Sequence, residues 1–196
     1  NGHNDLNSPL LVFSFFAACG LLASKAFKTL EHTKDELQTG TNILLILAIF
    51  LTYIGLAGAT QALFPIGVER LQWFASMKLF SANFFPRASF SKSGDIFFQQ
   101  VMIFSLIQHF RHLNFRGKDT IFLFAIAFFM VHLPIFFFLS WVGMLFIIPS
   151  MAAGFLFSYF IVKFRRGFLY SLGLHLGFYY VLGLVLRYFV EVPQAS

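Results

Sequence analysis

Polar positions are rare along this chain, and where they fall divides it into membrane-length pieces. Residues 9–27 and 41–64 are almost wholly apolar. About 20 such residues in a helix cross the hydrocarbon core of a bilayer. Between them, 28–40 carries charges of both signs (Lys28, Glu31, Lys34, Asp35, Glu36) and predicts a solvated connector. Pro65 and Gly67 end the second span. Within it, Gly55 and Gly58 predict close approach of a neighbouring helix. Residues 68–93 mix Trp73, Phe74, Met77, Leu79 and Phe80 with Glu69, Arg70 and Lys78. Too polar to span and too apolar for a loop, they predict an interfacial helix. Residues 86–95 follow as a turn-rich connector, with a helix starting at Ser93 or Asp95.

A third span is expected at 96–109, extended to 113 at its basic end. Residues 120–164 have scarcely a polar break and are too long for one crossing, so a tight turn is placed at 140–143 between the fourth and fifth spans. Pro134 should kink the fourth. The sixth runs over 168–186 and ends at Arg187. The expected fold is all-α, a polytopic bundle of about six spanning helices plus one interfacial helix. It forms a single integral membrane domain over 1–196: two N-terminal spans at 9–64, the interfacial segment at 68–93 and a four-helix core at 95–188.

Composition agrees. Hydrophobic residues make up 58% and charged residues 11% of 196, too little polar surface for a soluble domain of this size. The net charge of +6 comes from basic residues beside apolar spans, which points to lipid headgroups and not to nucleic acid. With six crossings, Lys25, Lys28, Lys34, Arg111, Arg116, Lys118, Lys163, Arg165 and Arg166 share one side. Arg70, Lys78, Arg87, Lys92 and Arg187 lie on the other. Nine against five predicts that the first side is cytoplasmic and both termini are outside. Cys19 is the one cysteine, so no intrachain disulfide can form. The first span is read as a true helix and not as a signal peptide.

Candidate chemistry therefore comes from polar groups inside the spans. His132 lies in an apolar stretch over 124–138 and is expected near mid-membrane, where a polar side chain is costly and faces the protein interior. His175 and Tyr179 form an i,i+4 pair on one helical face, with Tyr179 placed to fix the imidazole tautomer. Gln99 and Gln100 point about 100° apart, so one can face inward while its neighbour braces another element. Phosphate loops, HExxH, CxxC and nucleophile-elbow motifs are absent.

From Gln99 to the end of the sixth span the chain resembles the CPBP intramembrane proteases, the group that includes CAAX prenyl endopeptidases and bacterial Abi-type proteins. The family carries Glu-Glu-x-x-x-Arg, then Phe-x-x-x-His, then His-x-x-x-Asn. Phe128 and His132, in FFMVHLP, fit the second motif, and 154–175 leads into His175 through a basic-Gly turn at Arg166 and Gly167. The order and spacing also suit, with 33 residues from Gln99 to His132 and 43 from His132 to His175.

The resemblance implies a water activated by the first Glu, histidines that assist, and an Asn that helps hold the oxyanion. This chain has Gln99 and Gln100 for the Glu pair, Phe104 for the Arg and Tyr179 for the Asn. A neutral amide cannot take a proton from water, and general-base assistance is worth about 10²–10⁴ in rate. Asp95, four residues before Gln99, is the nearest substitute carboxylate.

The reading is thus a protease fold without working catalysis, serving as a binding or assembly subunit of a membrane complex. Its pocket would take a lipid tail, a prenyl-like chain or a partner's transmembrane segment. Two alternatives stand beside it. One is an active CAAX-type endopeptidase using Asp95. The other is a haem- or lipid-binding subunit, with haem or a metal on His132 and His175; no cofactor is otherwise expected. The expected partners are membrane lipids and other membrane subunits, and the expected location is a bacterial inner membrane.

Overall fold

A computed structural model of the chain describes residues 8–26, 40–67, 86–139 and 143–188. Every element among them is helical: α1 (Pro9–Ala26), α2 (Gly40–Leu63), α3 (Pro86–His112), α4 (Gly117–His132), α5 (Ile135–Leu139), α6 (Met144–Lys163) and α7 (Gly167–Tyr188). Four stretches are long and apolar enough to cross a membrane: Ile43–Leu63, Gly117–Phe137, Phe146–Lys163 and Gly167–Val185. The architecture is an all-α, multi-pass membrane bundle. The apolar part of α1, Pro9–Ala23, is shorter. α3 is long enough but carries serines, Lys92 and Asp95 through its first turns.

α3 is the axis of the bundle and packs against α1, α2, α4, α6 and α7. Its buried face, including Ile96, Ile103, Phe104 and Ile107, meets Phe168, Leu172 and Leu176 of α7, Phe157 of α6 and Phe124 of α4 in one apolar core. The outer faces of α1 and α2 are the reverse. Leu10, Phe15, Leu22, Leu44 and Leu51 are exposed, as suits side chains that face lipid.

The start of α3 departs from the sequence reading. The segment 86–95, expected as a connector, is helical from Pro86, so the third helix begins about two turns earlier than Ser93 or Asp95. Two local effects account for this. Proline is well suited to the first turn of a helix, where its missing N–H has no partner to lose. Ser91 and Ser93 donate to the carbonyls of Ala88 and Phe90 three residues back, at 3.0 and 2.6 Å, so their hydroxyls are satisfied within the helix.

A tertiary effect completes it. Ala88, Ser89, Ser91, Ser93 and Gly94 are all buried, and their small side chains let α1 come close. A Cβ on Gly94 would lie 2.8 Å from the Phe13 ring and 2.9 Å from its carbonyl oxygen. The predicted interfacial helix at 68–93 therefore loses its last eight residues to α3, and 68–85 lie outside the described residues. Of the predicted connector over 28–40, only Gly40 falls among the described residues.

The pair Gly55 and Gly58 is corrected in part. A Cβ on Gly58 would lie 3.5 Å from the Pro86 ring, but one on Gly55 would meet nothing within 4 Å. Close approach is instead supplied by Gly94, and by Gly154, whose added Cβ would lie 3.0 Å from the Ala125 backbone between α6 and α4.

The expected kink at Pro134 is a full break. α4 ends at His132 and α5 restarts at Ile135. Across the gap, Phe136 and Phe137 donate to Leu133 and Pro134 carbonyls three residues back, at 3.1 and 3.0 Å. Of the expected turn at 140–143, only Gly143 falls among the described residues.

α3 ends in a Schellman turn. Asn114 takes the left-handed conformation (φ 62°), Asn114 donates to Arg111 O at 3.0 Å and Phe115 to Phe110 O at 3.3 Å. The Phe110 and Phe115 rings close it at 6.0 Å.

The contacts also fix helix directions. Phe13 stacks on Phe90 at 4.5 Å and Phe16 meets Phe98 at 6.2 Å, so α1 and α3 run parallel. Thr60 bonds Tyr180 at 2.8 Å and Arg187 donates to Gln61 at 2.7 Å and to Phe64 O, so α2 and α7 run parallel. Gly117 faces Val162, which puts the start of α4 beside the end of α6. Lys25, Arg111, Arg116, Lys118, Lys163, Arg165 and Arg166 therefore gather at one end of the bundle, as the six-crossing count requires.

Candidate functional site

Two polar clusters grow from neighbouring faces of α3. The first is dry. Gln100 has no exposed surface. Its amide nitrogen donates to Ser171 Oγ at 2.5 Å, and its oxygen accepts from His175 Nδ1 at 3.3 Å. With the proton held on Nδ1, the neutral ring keeps its lone pair on Nε2. Gln100, and not Tyr179 as expected, is the residue that fixes this tautomer. The His175 ring packs on Phe157 with centroids 4.8 Å apart and on Tyr179 at 5.5 Å.

The second cluster opens onto a cavity. Asp95, Gln99 and Lys92 sit at i, i+4 and i−3 and so share one side of α3. Lys92 Nζ contacts Asp95 Oδ2 at 2.5 Å, and Gln99 Nε2 donates to Asp95 Oδ1 at 2.9 Å. Both oxygens of the carboxylate are engaged. The same ammonium lies 4.8 Å from the centre of the Tyr179 ring, a cation–π contact. Tyr179 thus braces a lysine instead of bonding the imidazole of His175.

His132 stands across the cavity, as the last residue of α4. Its Nδ1 lies 2.6 Å from Phe128 O. A carbonyl only accepts, so Nδ1 carries the proton and Nε2 the lone pair. His132 lies about three-quarters of the way along the span Gly117–Phe137 and not at its middle. His175 is the histidine near the centre of its apolar span, Gly167–Val185. The two imidazoles connect through phenyl rings: His132 packs on Phe128 at 4.4 Å, Phe128 on Phe157 at 5.6 Å, and Phe157 on His175. Among the described residues, no three His, Cys, Asp or Glu side chains gather as a metal site would require.

The cavity has a volume of about 880 Å³ and lies between α3 and α4. Lys92, Asp95, Gln99, His132 and Tyr179 line its polar end. Met102, Leu106, Phe124, Ala127, Phe128 and Val131 line an apolar middle, and His109 and His112 its far end. Of the sequence candidates, Asp95, Gln99, His132 and Tyr179 are brought to one cavity. Gln100 and His175 are bonded to each other in the adjacent seam.

Lys92 and Ser171 were missed. Ser171 carries no signal until α7 docks on α3. Lys92 has one, its i−3 relation to Asp95, which becomes visible once 86–95 is taken as helix.

No family model, curated protein or solved structure matches this chain.

Proposed function

We propose that this is a non-catalytic membrane protein whose α3–α4 cavity binds a hydrophobic ligand. In this reading the chain descends from a CPBP-type protease and serves as a binding subunit in a membrane complex, in a bacterial inner membrane with its basic end in the cytoplasm. One observation carries the proposal. The carboxylate lining the cavity, Asp95, accepts from both Lys92 and Gln99, while the family's base position is filled by an amide. A carboxylate held by a cation and an amide is a poor base for water, and neither Gln99 nor Gln100 is a base at all. What remains is an apolar cavity with a few polar groups at one end, the general form of a ligand site.

The test is peptide cleavage by the purified chain, beside Asp95→Asn and His132→Ala. The expected result is no turnover above background for any of the three. Cleavage that Asp95→Asn abolishes would replace this reading with a working endopeptidase, and a Soret band in the purified protein would replace it with a haem subunit.

A further inference from the structure

Resting on the reading that the cavity binds and does not cleave, we infer that its occupant is a single-chain lipid with an uncharged hydroxyl head. Shape sets the class. The lining follows α3 from Lys92 to His112, a length of about 30 Å at 1.5 Å per residue, close to the thickness of the hydrocarbon core. Even the whole open space of the groove, about 1970 Å³ with its unwalled side included, gives a mean section of about 65 Å² over that length. A helix with its side chains, 10–12 Å across, needs roughly 80–110 Å². A transmembrane segment is too thick for the groove, whereas one hydrocarbon chain fits it. The groove also opens sideways: Val131, on its rim, is 74% exposed and faces the lipid from which such a chain would enter.

The polar end sets the head. Lys92 and Asp95 cancel each other's charge across 2.5 Å. Gln99 spends one N–H on Asp95, which leaves its carbonyl oxygen as acceptor and a second N–H as donor. His132, with its proton directed at Phe128 O, offers Nε2 as an acceptor. The polar end thus offers two acceptors and an amide donor, with Tyr179 and the neutral Lys92–Asp95 pair beside them. A hydroxyl can donate to either acceptor and accept from the amide. A carboxylate or phosphate would meet the same two lone pairs and, with Lys92 held on Asp95, no uncancelled positive charge.

The experiment is photo-cross-linking of the full chain in detergent micelles with a monoacylglycerol that carries a diazirine midway along its chain. Adducts are expected on Met102, Leu106 or Val131. Unlabelled monoacylglycerol should compete about tenfold better than the fatty acid of the same chain length, the effect of one mismatched polar contact. Ala127→Phe, which fills the apolar middle, should cut labelling about tenfold, and Val131→Trp at the lipid-facing rim should cut it without entering the packed core.

Equal or stronger competition by the fatty acid or a lysophospholipid would overturn the head assignment. Displacement by an apolar transmembrane peptide in preference to any lipid would overturn the chain assignment. Adducts outside the groove, in wild type, would overturn both. None of these results produces peptide cleavage, so failure here is distinct from failure of the non-catalytic reading.

Discussion

Gln99 and Gln100 are neighbours of identical chemistry, and the fold gives them opposite work. Gln100 is sealed in the α3–α7 seam with its amide matched to Ser171 and His175. Gln99 lines the α3–α4 groove with one N–H spent on Asp95 and its other N–H and carbonyl oxygen left for the cavity. The difference teaches that an amide pair in a membrane helix is not one feature. A dry seam needs every polar atom paired, because nothing there replaces a lost partner. A groove tolerates unspent groups and can therefore be selective.

The comparison is most strongly tested at Lys92. Lys92→Ala leaves Asp95 beside the groove without its cation, and should cost about 3 kcal/mol, the lower end of the range for an orphaned buried charge. The side chains of the pair retain 17% and 19% exposure, which limits the cost. Lys92→Ala/Asp95→Ala should restore most of that loss in thermal unfolding of the micelle-bound protein. If the double variant is no more stable than the single, the pair is not the unit described.

Gln100→Leu comes next, at about 1–3 kcal/mol, since it strands the His175 N–H in an apolar seam. Gly94→Ala tests a third seam, between α1 and α3. Its methyl would meet the Phe13 backbone, and overpacking of this kind costs about 1–3 kcal/mol. Gln99→Leu should be the mildest, within about 1 kcal/mol, because the groove and not the core loses a partner. Its effect should appear in the competition series as a reduced preference for the hydroxyl lipid. If Gln99→Leu destabilises as much as Gln100→Leu, the distinction between seam and groove is wrong.

Much of the fold was legible because membrane helices announce themselves by unbroken apolarity. The limits of α1, α2 and α7, the break at Pro134 and the gathering of basic residues at one end all follow from local composition. α3 was misread at its start because its first turns are written in serine and glycine. Those residues signal a connector until another helix packs on them. Gly94 against Phe13 is invisible to any window along the chain.

The site divides the same way. The sequence by itself determined which side chains are too costly to lie in hydrocarbon without partners: His132, His175, Gln99 and Gln100. Only the tertiary structure decided who partners whom. Gln100 and not Tyr179 sets the proton of His175, and the packing of α3 on α4 brings Gln99 and His132 to one cavity. The physical reason is that desolvation is a property of one residue and can be read from its neighbours in the chain. Bonds between helices, as from Gln100 to Ser171 and His175, need two atoms within about 3 Å, and those atoms lie on stretches of sequence that carry no mark of each other.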